Sequence, residues 1–160
     1  MDKHKQLSEA IVLATIAHRN QVDKGGNPYI LHPLHLMNQL LFDTQLATIA
    51  VLHDVLEDTG MTISDLSRIG ISQRVTSSLE LLTHELGQSY DEYIDGICAN
   101  YDAIRVKRKD LQHNSDITRL KGVTPKDLAR MEKYHRAFMR LTEAKRAFNR
   151  KQPAHKRVQA

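Results

Sequence analysis

The chain has 160 residues, enough for one domain with a core of its own, and its 41% hydrophobic and 26% charged composition is that of an ordinary globular protein. The formal net charge of +4 is unevenly held: residues 140–160 carry seven basic side chains (Arg140, Lys145, Arg146, Arg150, Lys151, Lys156 and Arg157) against the one acid Glu143, which leaves the preceding residues mildly acidic. This distribution argues against a basic face built into the fold for nucleic acid, and no apolar run approaches the roughly 18 residues that suggest a membrane span.

Only 5% of the residues are aromatic, and Leu, Ile and Ala dominate the apolar set, so the composition leans towards helix. The single cysteine, Cys98, cannot form an internal disulfide. The N-terminus MDKHKQLSEA has no apolar region of signal-peptide type. A reducing cytoplasm is the expected compartment, and Cys98 reads as a small packing residue.

In chain order, Leu7, Ala10, Ile11, Ala14 and Ala17 form a helical face. DKGGNPYILHP is punctuated by Gly25, Gly26, Asn27, Pro28 and Pro33 and reads as a loop, with a helix from about Leu34 to Phe42. TQLATIAVLHDVLEDT reads as one central buried helix, since its start is apolar nearly all round. Thr62–Asp65 (TISD) and Ser89–Glu92 (SYDE) are capping-box patterns, and a helix over about 72–84 lies between them. A helix from about Asp102 to Leu120 follows. Thr124, Pro125 and Asp127 then stand as N-cap, first and third residues of a last helix that runs to about Arg150. The expected architecture is an all-α bundle forming a single domain over 1–150, with a basic, frayed tail at 151–160.

The chemistry concentrates in VLHDVLEDT, where His53, Asp54, Glu57 and Asp58 interrupt an apolar run. On a continuous helix, His53 shares a face with Glu57, and Asp54 with Asp58. Carboxylates so close repel, and burying them costs several kcal/mol unless something compensates. A divalent cation does so most simply. Two more ligand candidates are His32, held beside Pro33 after the glycine loop, and Asp110, with Asn114 one turn on. A His2Asp2 set of mixed nitrogen and oxygen donors suits Mn, Fe or another first-row ion better than Mg or Ca and leaves positions open for water. Singly, each residue has a plainer reading: a lone histidine is more often a satisfied core residue, and Glu57 and Asp58 could be the solvated end of a helix. The ensemble is what points to a metal.

The stretches AHRNQVDKGGNPYILHP, AVLHDVLEDT and VKRKDLQHNSDITRL together resemble the HD-domain hydrolases of the RelA/SpoT type, most of all the small single-domain members that include the small alarmone hydrolases. The match runs over roughly 10–141, and no synthetase domain is expected. The resemblance implies an HD-domain helical bundle, cytoplasmic, holding one divalent ion, usually Mn²⁺, on His32, His53, Asp54 and Asp110. Glu57 and Asp58 would position or deprotonate the attacking water. Asn114 would contact the nucleotide's sugar or phosphate, and Lys24 its base and phosphates. One position departs: alarmone hydrolases carry Arg-Lys in the glycine loop, and here the pair is Asp23-Lys24. An acid there removes a stackable, bidentate cation, so the hydrolytic chemistry carries over more directly than alarmone specificity. Lys107 and Lys109, flanking Asp110, could replace part of the lost charge, or could be solvated supports.

The implied activity is a metal-dependent (p)ppGpp 3′-pyrophosphohydrolase acting on a small-molecule nucleotide. The alternatives are a phosphatase on another nucleotide, such as a nucleotidase or an NADPH 2′-phosphatase, and a nucleotide-binding HD module without turnover. The basic tail could be a solvated helix end, a field that steers nucleotides or a nucleic-acid contact. A homo-oligomer is compatible with all of these. Among the other residues, His113 could touch substrate, support the site from behind or sit at the surface, His18 reads as structural or else as lining the pocket, Tyr29 as packing, and His84 and Glu85 as surface.

Overall fold

The computed structural model describes residues 1–151; apart from Lys151, the expected basic tail lies outside them. Among the described residues the regular structure is helical, with one isolated bridge between Val22 and Pro28 pinching the glycine loop. Helix α1 spans Lys3–Ala17, α2 Leu31–Gln39, α3 Thr44–Leu52, α4 Val55–Asp58, α5 Ile63–Arg68, α6 Gln73–Leu82, α7 Tyr90–Ile97, α8 Tyr101–Asn114 and α9 Pro125–Lys151, with a 3₁₀ turn at Ile117–Arg119. No described helix is long and apolar enough to cross a membrane.

Helix α3 is the axis of the bundle. Its residues 46–52 are all buried, and α1, α2, α6 and α8 pack around it. Leu46, Ile49 and Leu52 are fully buried, as are Leu36 of α2, Leu79 of α6 and Ile104 of α8. Each such side chain contributes about 2 kcal/mol. Thr48, the one polar member of the run, returns its hydroxyl to the Thr44 carbonyl at 2.8 Å. Helix α9 lies along α8, with Ala137 and Leu141 turned inward and the Arg108 guanidinium over the Phe138 ring.

The caps read from the sequence form as expected. Thr62 with Asp65 and Ser89 with Glu92 make reciprocal capping boxes, and the Asp127 carboxylate accepts from both the amide and the hydroxyl of Thr124. Three boundaries differ. Helix α2 begins at Leu31 rather than Leu34, which places His32 and Pro33 in its first turn; proline is tolerated there because the first amides have no intrahelical partner. Helix α8 stops at Asn114 rather than Leu120, where Ser115 caps it and the chain tightens into the 3₁₀ turn. The expected central helix is broken: α3 ends at Leu52, His53 and Asp54 form a turn, and α4 starts at Val55.

Candidate metal centre

The site forms at the junction of α3 and α4. In the turn, Asp54 takes φ −101° and ψ −6°, and its Oδ2 comes to 2.9 Å from His53 Nε2. The end of α3 also frees the Ala50 carbonyl, which accepts from His53 Nδ1 at 2.8 Å. That bond fixes the ring so that Nε2 faces Asp54.

Helix α2 brings His32 from the opposite wall. Its Nε2 lies 3.2 Å from Asp110 Oδ1 and 3.8 Å from Asp54 Oδ2. Its Nδ1 is 2.6 Å from Nδ1 of His113, in a ring coplanar to within 1°. Helix α8 supplies Asp110, whose Oδ1 also lies 3.7 Å from His53 Nε2. His32, His53 and Asp110 are buried, and one donor atom from each falls within 4.8 Å of the others. Asp54 joins them through its contacts with both histidines.

The decisive detail is directional. The Nε2 atoms of His32 and His53 are buried and close to carboxylate oxygens, yet neither makes a hydrogen bond. Both ring nitrogens instead face the carboxylate oxygens of Asp54 and Asp110 across the same small buried space. Buried polar atoms without partners cost about 1–3 kcal/mol each, and a cation is the group that relieves two imidazoles and two carboxylates at once. The donor set fits a divalent first-row ion.

The carboxylates are held from outside the cluster. The Tyr29 hydroxyl donates to Asp54 Oδ2 at 2.5 Å, Asn114 Nδ2 donates to Asp110 Oδ1 at 2.6 Å, and Lys107 Nζ lies 2.8 Å from Asp110 Oδ2. Burial alone would raise both acids. Lys107 and the two imidazoles hold Asp110 well below the usual carboxylate range, and His53 with Tyr29 holds Asp54 at about 2. Lys107 is likewise kept charged despite burial by Asp110.

Glu57 and Asp58 stand differently from the expectation that they share the buried helix. Both are solvent-accessible, on the short helix α4. Glu57 Oε1 accepts the His84 amide at 2.5 Å, so the loop expected to be plain surface anchors this carboxylate. Partial burial and the charge of Asp54 raise both acids above their ordinary values, against the His84 amide at Glu57 and the His18 ring at Asp58.

Two cavities flank the cluster. One, about 320 Å³, is lined by Lys24, Tyr29, Asn114, Arg119, Arg130 and Tyr134. The other, about 560 Å³, runs along His32, His35 and His113. The first thus unites Lys24 and Asn114 with Tyr29. Lys107 is not on that wall, since its amine is spent on Asp110 and sits over the Tyr93 ring. Asp23 does not stand free in the loop: its Oδ1 accepts the amides of Gly25 and Asn27, each at 2.9 Å, and its Oδ2 pairs with Arg119 at 3.2 Å.

Several neighbours were not legible in the sequence. Tyr29 reads as packing, but its hydroxyl orients a cluster carboxylate. His18 is buried, with Nδ1 on Gln21 Oε1 at 2.7 Å and an Nε2 that has no partner, and it packs against the Tyr29 ring. Arg130 and Tyr134 arrive from α9, a long polar helix with no motif that ties it to the cluster.

No protein-family model matches the chain. It is 26% identical over 126 residues to the bifunctional (p)ppGpp synthase/hydrolase SpoT of Escherichia coli, an alignment covering 71% of this chain and 18% of that protein. It is 29% identical over 110 residues to the guanosine-3′,5′-bis(diphosphate) 3′-pyrophosphohydrolase of Vibrio cholerae, covering 66% of this chain and 13% of that one. The chain therefore spans less than a fifth of the length of these curated relatives. A solved structure of a metazoan ortholog of SpoT that hydrolyzes ppGpp superposes with a TM-score of 0.69 at 21% identity, covering 96% of this chain and 90% of that one. In sequence the chain is similar to the RelA/SpoT-type hydrolases, and it shares the all-α HD-domain fold.

Proposed function

We propose that the chain is a metal-dependent nucleotide phosphohydrolase whose substrate is (p)ppGpp, cleaved at the 3′ pyrophosphoryl ester, with residues 1–150 as one HD domain. The observation that carries this reading is the pair of buried, partnerless Nε2 atoms of His32 and His53, which cluster with Asp110 and lie 3.8 and 2.9 Å from Oδ2 of Asp54. We assign those four residues as ligands of one divalent ion, and Mn²⁺ as that ion on the mixed nitrogen and oxygen donor set. The activities of these relatives support the substrate.

When bound, the ion supplies Lewis acidity toward a phosphoryl oxygen and lowers the pKa of water. The residues do the rest. The contacts of His53 Nδ1 with Ala50 O and of His32 Nδ1 with His113 Nδ1 orient both rings so that their Nε2 atoms would serve as ligands once the ring proton there is given up. The raised carboxylates Glu57 and Asp58 accept the proton of the attacking water. Asn114, with one amide proton on Asp110, keeps a second donor for the nucleotide. Lys24 faces the cavity and takes phosphate charge. Lys107 contributes by fixing Asp110.

The acid at Asp23 weighs less against an alarmone than its sequence position suggests, because Arg119 neutralises it. The test is product analysis by ion exchange: purified chain with Mn²⁺ is incubated with ppGpp, ordinary nucleotides and NADPH, with Asp54→Ala as control. Conversion of ppGpp to GDP and pyrophosphate, absent in the control, supports the reading. Orthophosphate from another nucleotide with ppGpp intact moves the chain to a different substrate, and no turnover of any of them leaves a binding module.

A further inference from the structure

Helices α8 and α9 meet along a face that gathers five cations around one shared acid. Arg105, Arg108 and Lys109 stand three and four residues apart on one side of α8. Arg108 Nε donates to Thr142 Oγ1 of α9 at 3.1 Å, and Lys145 and Arg146 follow Thr142 by three and four residues. Among the described residues the one ion pair of the five joins Arg105 to Asp102, at a long 3.9 Å. That carboxylate is already held by Arg74, at 2.7 and 3.1 Å. The repulsion registers on the face itself. Burial, and next the charges of Arg108, Arg105 and Lys109, push the Lys145 amine below the usual lysine range, and burial with Arg146 lowers Arg108. Like charges held side by side in this way are relieved by a ligand that carries several negative charges in a row.

Aromatic rings are interleaved with these cations. The Arg105 guanidinium lies 5.1 Å from the centre of the Phe42 ring and 5.4 Å from that of Tyr101, and Arg108 lies 4.6 Å from that of Phe138. Tyr101 is fixed in turn by its hydroxyl on Asn149 Oδ1 at 2.8 Å and by the Phe148 ring. Phe42 stands apart from the others: at 68% exposure it is the one exposed aromatic ring among the described residues. A single exposed apolar side chain is ordinary. An open ring beside a guanidinium on a cationic face is a platform on which a base can stack.

We infer that the α8–α9 face is a binding surface for single-stranded nucleic acid, in which Arg105, Arg108, Lys109, Lys145 and Arg146 take the phosphates and Phe42 stacks an unpaired base. The sequence places the basic excess in residues 140–160 and argues against a basic face in the fold. The fold changes that reading, because it sets Lys145 and Arg146 against three cations of α8 and makes a face that neither segment has alone. The strand must be unpaired, since a duplex keeps the faces of its bases inside the stack. A bilayer fits less well: anionic lipid is met by long projecting side chains beside a broad apolar face, whereas these guanidiniums are held down on rings.

The test is fluorescence anisotropy on the purified full chain, with a labelled oligouridylate and a duplex RNA of the same length, beside cosedimentation with phosphatidylglycerol vesicles. Wild type should bind the single strand with an affinity that falls as salt rises, at a log–log slope of about −2 or steeper. Lys145→Gln/Arg146→Gln should weaken binding about tenfold or more and make the slope shallower by about 1. Phe42→Ala should weaken it about tenfold and leave the slope alone, and Phe42→Tyr should restore it. Melting temperatures should be unchanged in all of them. Lys156→Gln/Arg157→Gln, which removes tail charge and leaves the face intact, should lose less than either face variant. Wild type that shows no salt-dependent binding overturns the inference. So does duplex bound as tightly as single strand, binding that survives either face variant, binding lost in Lys156→Gln/Arg157→Gln alone, or attachment to vesicles without binding of the strand. No turnover enters the readout, so the result stands whether or not the chain cleaves ppGpp.

Discussion

The Tyr29 hydroxyl donates to Oδ2 of Asp54 over 2.5 Å, and the same oxygen lies 2.9 Å from His53 Nε2. The tyrosine comes from the segment between the glycine loop and α2, so it ties the placement of His32, three residues on, to the HD turn. A group that orients a ligand from outside the coordination sphere is commonly worth 10–100-fold in metal affinity. Tyr29→Phe should therefore bind Mn²⁺ roughly tenfold more weakly while kcat at saturating metal stays near that of wild type. Competition against a fluorescent chelator reads the affinity. An unchanged Mn²⁺ Kd would return Tyr29 to packing.

The turn at His53–Asp54 makes a sharper prediction about the cluster. Each of the four proposed ligands carries several contacts in a buried space, so removing one should leave the rest unable to hold an ion. His53→Ala and Asp54→Ala should lose metal binding and turnover together, with no ion detected by elemental analysis after purification in Mn²⁺. A variant that stays active without an ion would contradict the assigned role.

These two cases also mark where the sequence is legible. The apolar period, the capping boxes and the Thr124–Pro125–Asp127 start report local backbone energetics, and each appears where read. The four ligand candidates converge for the same reason: His, Asp and apolar flanks recur in a pattern that burial penalises without an ion. The break after Leu52 is not legible, because no glycine or proline marks it; it arises from tertiary packing and from a histidine and an aspartate that propagate a helix poorly. The premature end of α8 is hidden likewise, since DLQHNSD keeps a helical spacing while the turn at Ile117–Arg119 is fixed by distant partners, Asp23 among them. Arg130 and Tyr134 were out of reach because their approach to Lys24 is set by how α9 lies on α8, not by any local pattern.

Glu57 is held above the ordinary glutamate range by partial burial and by Asp54. As a proton acceptor it must be ionised, so activity should fall as pH drops through this raised value. The acid limb of kcat/KM is then expected above the ordinary glutamate range. Glu57→Gln keeps the shape and the backbone contact to His84 in part, but removes the acceptor. Metal affinity should survive, turnover should drop by about 10²–10⁴, and the limb should change its midpoint. Full activity in Glu57→Gln, or an unmoved limb, would assign proton transfer elsewhere, with Asp58 the next variant to measure.

The departure at Asp23 yields a test with a counterintuitive sign. Asp23→Arg recreates the Arg-Lys pair of the alarmone hydrolases, and on sequence grounds it should improve an alarmone hydrolase. In the structure, Asp23 caps the amides of Gly25 and Asn27 and pairs with Arg119, whose other nitrogen holds the His113 carbonyl at 2.9 Å. The loop is pressed onto that segment so closely that a Cβ on Gly25 would come within 2.5 Å of the Arg119 carbonyl oxygen. An arginine at 23 would lose the caps and face Arg119 with like charge, a cost of about 2 kcal/mol or more. The expected outcome is a melting temperature lower by several degrees and a raised KM for ppGpp, with Mn²⁺ affinity little altered because no ligand moves. Gly25→Ala should act the same way by steric displacement, and Asp23→Asn, which keeps the caps and gives up the charge, should be milder than either. A gain in kcat/KM for Asp23→Arg would mean that the loop tolerates the change and that Asp23, rather than holding Arg119 in place, suppresses substrate binding.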